Sequence, residues 1–272
     1  MSRPIWTGSL NFGLVNIGVE MIMAVHEKAV HFHMLSKDGH CRLRRKLVCP
    51  DTGKEYDFAD TARGIEVGPN EYAVVEQKEI DQLKPEKGKA LEIVQFTDLT
   101  AIDPVYFDRV YFLKPVKESS KSYKLLLDVM REENKCAIAR FVMREREYLA
   151  AIRALEDGMT LHTLHYADEV ESLSDEVGAG LGRIKTTSAE MKMASELMKT
   201  MTKSLDLDEF KDEYRLRLQK MIDAKVKGKE VQHIEAEEEG PPPRTINLME
   251  ALKKSLAAGN ARGDGHGRRR SA

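Results

Sequence analysis

Strand-period alternation dominates the chain up to Tyr166, and helix-period spacing dominates beyond it. In the opening stretch RPIWTGSLNFGLVNIGV (residues 3–19), Ile5, Thr7, Ser9 and Asn11 share one face of extended chain. Trp6, Gly8, Leu10 and Phe12 share the other. Glycines at 8, 13 and 18 each cost a helix about 1 kcal/mol relative to alanine, so the stretch predicts a strand, bent at Gly13 and Gly18. Residues 20–34 alternate more loosely and put His31 and His33 on one strand face. A turn at 36–39 leads into 41–48, where Cys41, Leu43, Arg45 and Leu47 alternate with Arg42, Arg44, Lys46 and Val48, which predicts a ribbon with one mostly cationic side. The segment CPDTG (49–53) then turns the chain back.

Three further strands are predicted over 71–76, 91–97 and 105–113 from their β-branched and aromatic content, with a helical turn at 79–83. Residues 119–134 read as a helix bearing Tyr123, Leu126, Leu127 and Met130 on one face, and strand character resumes over 136–143, 148–155 and 161–166. Many strands around one interposed helix imply a closed or nearly closed barrel, because closure removes exposed edges.

Past Tyr166, Thr187 and Glu190 form a capping box for a helix to about residue 203, with Met191, Ala194, Leu197, Met198 and Met201 on one face. A second helix spans about 208–227 and stops at Gly228, its stripe being Phe210, Tyr214, Leu218, Met221 and Ile222. Neither buries its stripe alone; the two cover their own barrel or reach a partner subunit. Glu235, Glu237, Glu238 and Glu239 and three consecutive prolines make 229–246 an extended linker. Asn247 with Glu250 then opens a short amphipathic helix over 247–258, bearing Leu248, Leu252 and Leu256. At about three turns it is marginal in water and must fold against a surface, either a partner's or its own protein's. Residues 259–272 read as a disordered tail.

Composition narrows the function. The 272 residues are 42% hydrophobic, enough for one sizeable core and a smaller unit. Three cysteines do not make a disulfide framework, and the apolar N-terminus lacks a cationic leader and a cleavage site, so a cytoplasmic protein without a membrane span is expected. A net charge of -2 permits nucleic-acid binding only where sign is segregated. It is: residues 37–54 hold six basic side chains (Lys37, Arg42, Arg44, Arg45, Lys46, Lys54) against two acidic, and the tail holds Arg262, Arg268, Arg269 and Arg270 against Asp264.

Catalytic patterns are missing from the chain. It has no phosphate-binding loop of the G-x-x-x-x-G-K-[ST] type, no dinucleotide fingerprint, no H-E-x-x-H and no nucleophile elbow. The glycines at 178, 180 and 182 follow no strand and read as a flexible loop, and the carboxylate pairs Glu145/Glu147 and Asp168/Glu169 have no catalytic partner. A hydrolase or transferase reading would have to use His26, His31 and His33. No catalytic residue, cofactor or metal site is assigned.

Several stretches together resemble the bacterial Ku proteins. The opening strand is similar to that family's I-W-x-G-x-I-x-F-G-L-V-N-I-x-V, SKDGHCRLRRKLVC to D-G-x-R-I-R-x-K-R-V-C, and IDPVYFDRVYFLKP to I-D-P-x-Y-F-D-x-x-Y-x-L-x-P. AIARFVMREREYLAAIR, LHTLHYADEV and KDEYRLRLQKMIDAKVKGKE also match the family, so the likeness covers about residues 3–230. The chain departs from many family members at Cys49-Pro50-Asp51-Thr52, where a C-x-x-C would stand. One cysteine cannot supply the thiolate pair of a zinc knuckle, and Cys41 and Cys49 are expected to be small buried residues.

The resemblance implies a mainly β protein with α: a Ku-type, SPOC-like seven-stranded β-barrel core with a DNA-encircling bridge (1–186), a helical arm (187–228), the linker (229–246), a ligase-recruiting helix (247–258) and a basic tail (259–272). It implies a non-enzymatic homodimer, cytoplasmic and nucleoid-associated. Such a dimer threads double-stranded DNA ends, protects them, and recruits the ATP-dependent DNA ligase of non-homologous end joining. Lys37, Arg42, Arg44, Arg45, Lys46, Lys54 and the tail arginines would meet phosphates; Leu248, Leu252 and Leu256 would meet the ligase. The alternative is a nucleic-acid scaffold with no preference for ends.

Overall fold

The computed structural model describes residues 3–83, 89–228 and 248–263, without the side chains of 175, 176, 179 and 258–263. Two compact units divide the chain, residues 1–171 and 172–272.

In the first unit the strands are β1 (Trp6–Phe12), β2 (Val15–Met23), β3 (Leu47–Val48), β4 (Glu55–Tyr56), β5 (Arg63–Gly68), β6 (Glu71–Val75), β7 (Ala90–Thr97), β8 (Phe107–Pro115), β9 (Cys136–Met143), β10 (Arg146–Ala154) and β11 (Met159–Leu164). Helix α1 is Gln77–Leu83 and α2 is Ser120–Glu132. Seven strands close a barrel in the order β1-β2-β8-β11-β10-β9-β7, with β3-β4 and β5-β6 as separate ribbons. The expected strand bent at Gly13 is instead the β1-β2 hairpin. Phe12 pairs with Val15 across a two-residue turn, and Gly13 alone of the two turn residues lies at positive φ, as a type II′ turn requires.

Every barrel pairing is antiparallel except the closing one, a short parallel register of Ser9, Leu10 and Asn11 on Ala90, Leu91 and Glu92. Gly8 makes this seam possible: a Cβ there would lie 2.1 Å from the Lys89 carbonyl oxygen and 2.4 Å from the Trp6 ring. The Lys89 carbonyl instead accepts from the Ser9 amide at 2.7 Å.

The interior is filled by Leu10, Ile17, Val19, Met21, Leu91, Ile152 and Leu161, all fully buried. Alanines 137, 139 and 150 make room for them. Each such large side chain is worth about 1.5–3 kcal/mol. Helix α2 buries the predicted face, Tyr123, Leu126, Leu127 and Met130. The Tyr123 hydroxyl enters the β8-β11 ladder, donating to the Leu113 carbonyl (2.7 Å) and accepting from the Met159 amide (2.6 Å). Residues 113 and 159 are cross-strand partners, so one hydroxyl satisfies two backbone groups that the ladder leaves over. Outside the barrel, Ile138, Ala151 and Leu164 form a smaller apolar cluster with Ile102, Tyr106, Phe107 and Leu149.

The second unit contains α3 (Ala179–Leu181), α4 (Ser188–Met201), α5 (Glu213–Val226) and α6 (Leu248–Gly263). Thr187 and Glu190 close the predicted capping box on α4, the Thr187 hydroxyl accepting from the Glu190 amide. Asp212, rather than a residue near 208, caps α5, because 207–209 form a separate 3-10 turn under Asp206. Gly228 ends α5 at positive φ. Of residues 178–182, expected as a flexible glycine loop, 178 ends a π-helical turn that begins at 174 and 179–181 are α3. Helix α6 runs five residues beyond the expected 258, since Gly259 is not followed by a proline or a cap that would stop it. Asn247 and the linker 229–246 lie outside the described residues.

Candidate nucleic-acid interface

The basic segment lies in a long insertion, residues 24–89, that leaves the barrel after β2 and returns at β7. These two strands flank β1, so the insertion is a loop tethered at both ends to a rigid wall. Its described side chains are exposed or half-buried, none fully buried. Phe32 is 69% and Phe58 86% exposed, and Leu43, Leu47, Val48, Ile65, Val67, Tyr72 and Val74 are exposed too. With no core of its own, the insertion presents both charge and apolar surface outward.

Local hydrogen bonds rather than a continuous ladder shape the basic limb. The Ser36 amide donates to the Cys41 carbonyl, the Leu43 amide to the Met34 carbonyl, and Leu35 and Arg42 form an isolated bridge. The ribbon expected over 41–48 is therefore short: Leu47 and Val48 alone form β3, opposite Tyr56 and Glu55, because no strand lies beside 43–46 to pair them. Residues 25–34 carry no strand either. His31 and His33 thus share no strand face, and among the described residues no group of three or more His, Cys, Asp or Glu side chains is placed to hold a metal ion.

Placement divides the six predicted basic residues. Lys37 sits on the 36–39 turn, whose Asp38 carboxylate accepts from the Gly39 amide and is held below its usual range, chiefly by the Ser36 hydroxyl. Among the described residues Arg42, Arg44 and Arg45 are exposed and form no ion pair. Lys46 is engaged: its ammonium lies 2.7 Å from the Glu55 carboxylate. Lys54 stands 4.9 Å from the Tyr56 ring centroid, a cation–π contact that leaves its charge outward. Arg262 lies in α6 with its side chain outside the described set, and Arg268, Arg269 and Arg270 lie outside the described residues. Leu252 and Leu256 are half-buried and Leu248 is exposed.

Cys41 is exposed and Cys49 half-buried, which corrects the expectation that both are buried; an insertion without a core has nowhere to bury them. The 49–54 turn keeps a knuckle shape, the Gly53 amide donating to the Cys49 carbonyl and Gly53 at positive φ. Thr52 takes the position a second thiol would need, and its hydroxyl hydrogen bond lowers the Cys49 pKa.

The sign reversal further along the insertion escaped sequence reasoning. Beyond Lys54, Glu55, Asp57, Asp60, Glu66, Glu71, Glu76, Glu79 and Asp81 meet only Arg63 and Lys78 up to residue 83. The insertion thus has a basic limb and an acidic limb, and a polyanion is attracted by the first and repelled by the second. Listing both signs along 24–83 would have found it. No helix among the described residues is long and apolar enough to cross a membrane.

Comparison with known proteins places the chain. The family model of the Ku70/Ku80 beta-barrel domain matches residues 11–196, from the end of β1 through β11 and with the insertion included. Among similar proteins, Non-homologous end joining protein Ku 1 of Saccharopolyspora erythraea is 38% identical over 257 residues, 94% of this chain and 78% of that protein. Non-homologous end joining protein Ku of Anaeromyxobacter sp. is 36% identical over 267 residues, 98% and 89% of the two chains. The protein of the same name from Archaeoglobus fulgidus is 36% identical over 256 residues, 94% and 99% of the two.

Proposed function

Because the chain belongs to the Ku β-barrel family, we propose that it binds double-stranded DNA ends in non-homologous end joining. In this reading two copies form a ring, protect the end and recruit an ATP-dependent DNA ligase, with no chemistry of their own. The observation that carries it is the doubly tethered insertion whose Arg42, Arg44 and Arg45 are exposed and form no ion pair among the described residues. Phosphate contacts from a rigidly anchored limb give affinity without reading bases. Half a ring per subunit, related by a two-fold axis, suits the pseudo-two-fold symmetry of duplex DNA. The exposed apolar side chains of the insertion supply surface for the second copy. End preference then follows from topology: a closed ring is entered only at a terminus.

The test compares binding to a linear duplex and to a covalently closed circle of equal length. Strong preference for the linear form is expected, and equal affinity would favour a scaffold indifferent to ends. Deleting 247–272 is expected to spare DNA binding by the core and to abolish stimulation of the ligase; full stimulation by the truncated protein would remove the recruiting role of Leu248, Leu252 and Leu256.

A further inference from the structure

Within the second unit α6 packs on α4. The contact surrounds a shallow cavity of about 380 Å³ lined by Ala194, Leu197, Met198, Met201 and Thr202 of α4 and its cap, and by Leu252 of α6. On α6 the half-buried line is Met249, Leu252 and Leu256, one helical stripe at spacings of three and four. On α4, Met193 and Leu197 are half-buried while Met198 and Met201 are about 70% exposed. The fit is therefore partial, with room left under Leu252 and flexible methionine side chains around it, a surface suited to a reversible occupant.

We propose that the methionine face of α4 is the resting seat of α6, so that Leu252 and Leu256 are held against their own chain until a partner takes them. The inference rests on the recruiting role of this helix stated above. It explains how so short a helix exists before any partner arrives: four turns in isolation are marginal in water, and α4 supplies the apolar surface that stabilises them. One leucine stripe cannot cover two surfaces at once, so docking on α4 and docking on the ligase are mutually exclusive. A seat occupied nine-tenths of the time lowers the apparent affinity of the partner roughly tenfold.

The experiment uses the full chain and Met198→Glu, a substitution at an exposed position of α4 outside the basic limb. Hydrogen exchange is expected to show the amides around Leu252–Leu256 protected in the wild type and exchanging at free-peptide rates in the variant. Binding of the purified end-joining ligase is expected to tighten about tenfold in the variant. A second variant joins Met198→Cys to Leu252→Cys; the disulfide form is expected to lose ligase binding and to regain it on reduction. Unprotected amides in the wild type would overturn the seat. Lost protection with unchanged ligase affinity would overturn the competition. Undiminished ligase binding by a protein lacking 247–272 would overturn the competition by failing the recruiting role on which it rests, and exchange in the wild type would still decide the seat.

Discussion

Replacing Arg42 and Arg44 by glutamine isolates the electrostatic contribution of the basic limb. Both side chains are exposed, and neither is tied to a carboxylate among the described residues, so each is able to displace a counterion from DNA. In the proposed dimer, two substitutions per subunit remove four cations. At about 0.9 per phosphate contact, the slope of log affinity against log salt should become shallower by roughly 3.6. Between 50 and 200 mM salt the advantage of the wild type should therefore shrink by on the order of 100-fold. The assay is fluorescence anisotropy on a short blunt duplex over a salt series, with dimer mass checked in parallel. Lys46→Gln serves as the comparison: its charge is already spent on Glu55, so it should shift the slope by less than either arginine. An unchanged slope in the double variant, with the dimer intact, would refute the assignment of the limb to phosphate.

Other expectations concern the scaffold. Gly8→Ala forces a Cβ into the Lys89 carbonyl and the Trp6 ring and should cost about 1–3 kcal/mol, read as a lower melting temperature; a neutral effect would mean the β1-β7 seam is not tight. Tyr123→Phe should cost about 2–4 kcal/mol, because it leaves the Leu113 carbonyl and the Met159 amide without their partner in the barrel, and a loss under 0.5 kcal/mol in chemical denaturation would contradict that role. Burial, with the Arg153 charge second, lowers the pKa of His162 from 6.5. The unfolded chain then takes up the proton more readily, so this contribution to stability is present above pH 6.5 and lost as pH falls below it. His162→Gln should flatten that acid-side slope in melts from pH 7.5 to 5, and an unaltered slope would remove His162 as its source.

The barrel was largely legible because its strands alternate cleanly and carry their own partners. The segment 136–143 is β9 residue for residue, and the buried face of α2 is the one its spacing predicts. Errors fell where alternation did not mean pairing. Arg42, Arg44 and Lys46 alternate with apolar residues, yet 43–46 have no neighbouring strand and stay irregular. At the first hairpin the turn was hidden by its own composition: Leu14, fully exposed between Gly13 and Val15, reads as a strand residue. The basic character of the site was visible from residue types alone. That Lys46 is neutralised by Glu55 was not, because ribbon pairing across a turn brings together residues nine apart in a register only the fold defines. The choice between a free and a seated α6 likewise depended on a surface on α4, distant in sequence.

The proposed ring would hold DNA topologically, and trapping tests for that. The protein is loaded onto a linear duplex, both ends are then capped with streptavidin, and salt is raised until binding to uncapped DNA is abolished. A ring predicts that protein stays on the capped duplex and escapes when one cap is cut away; equal loss from capped and uncapped duplexes would contradict it.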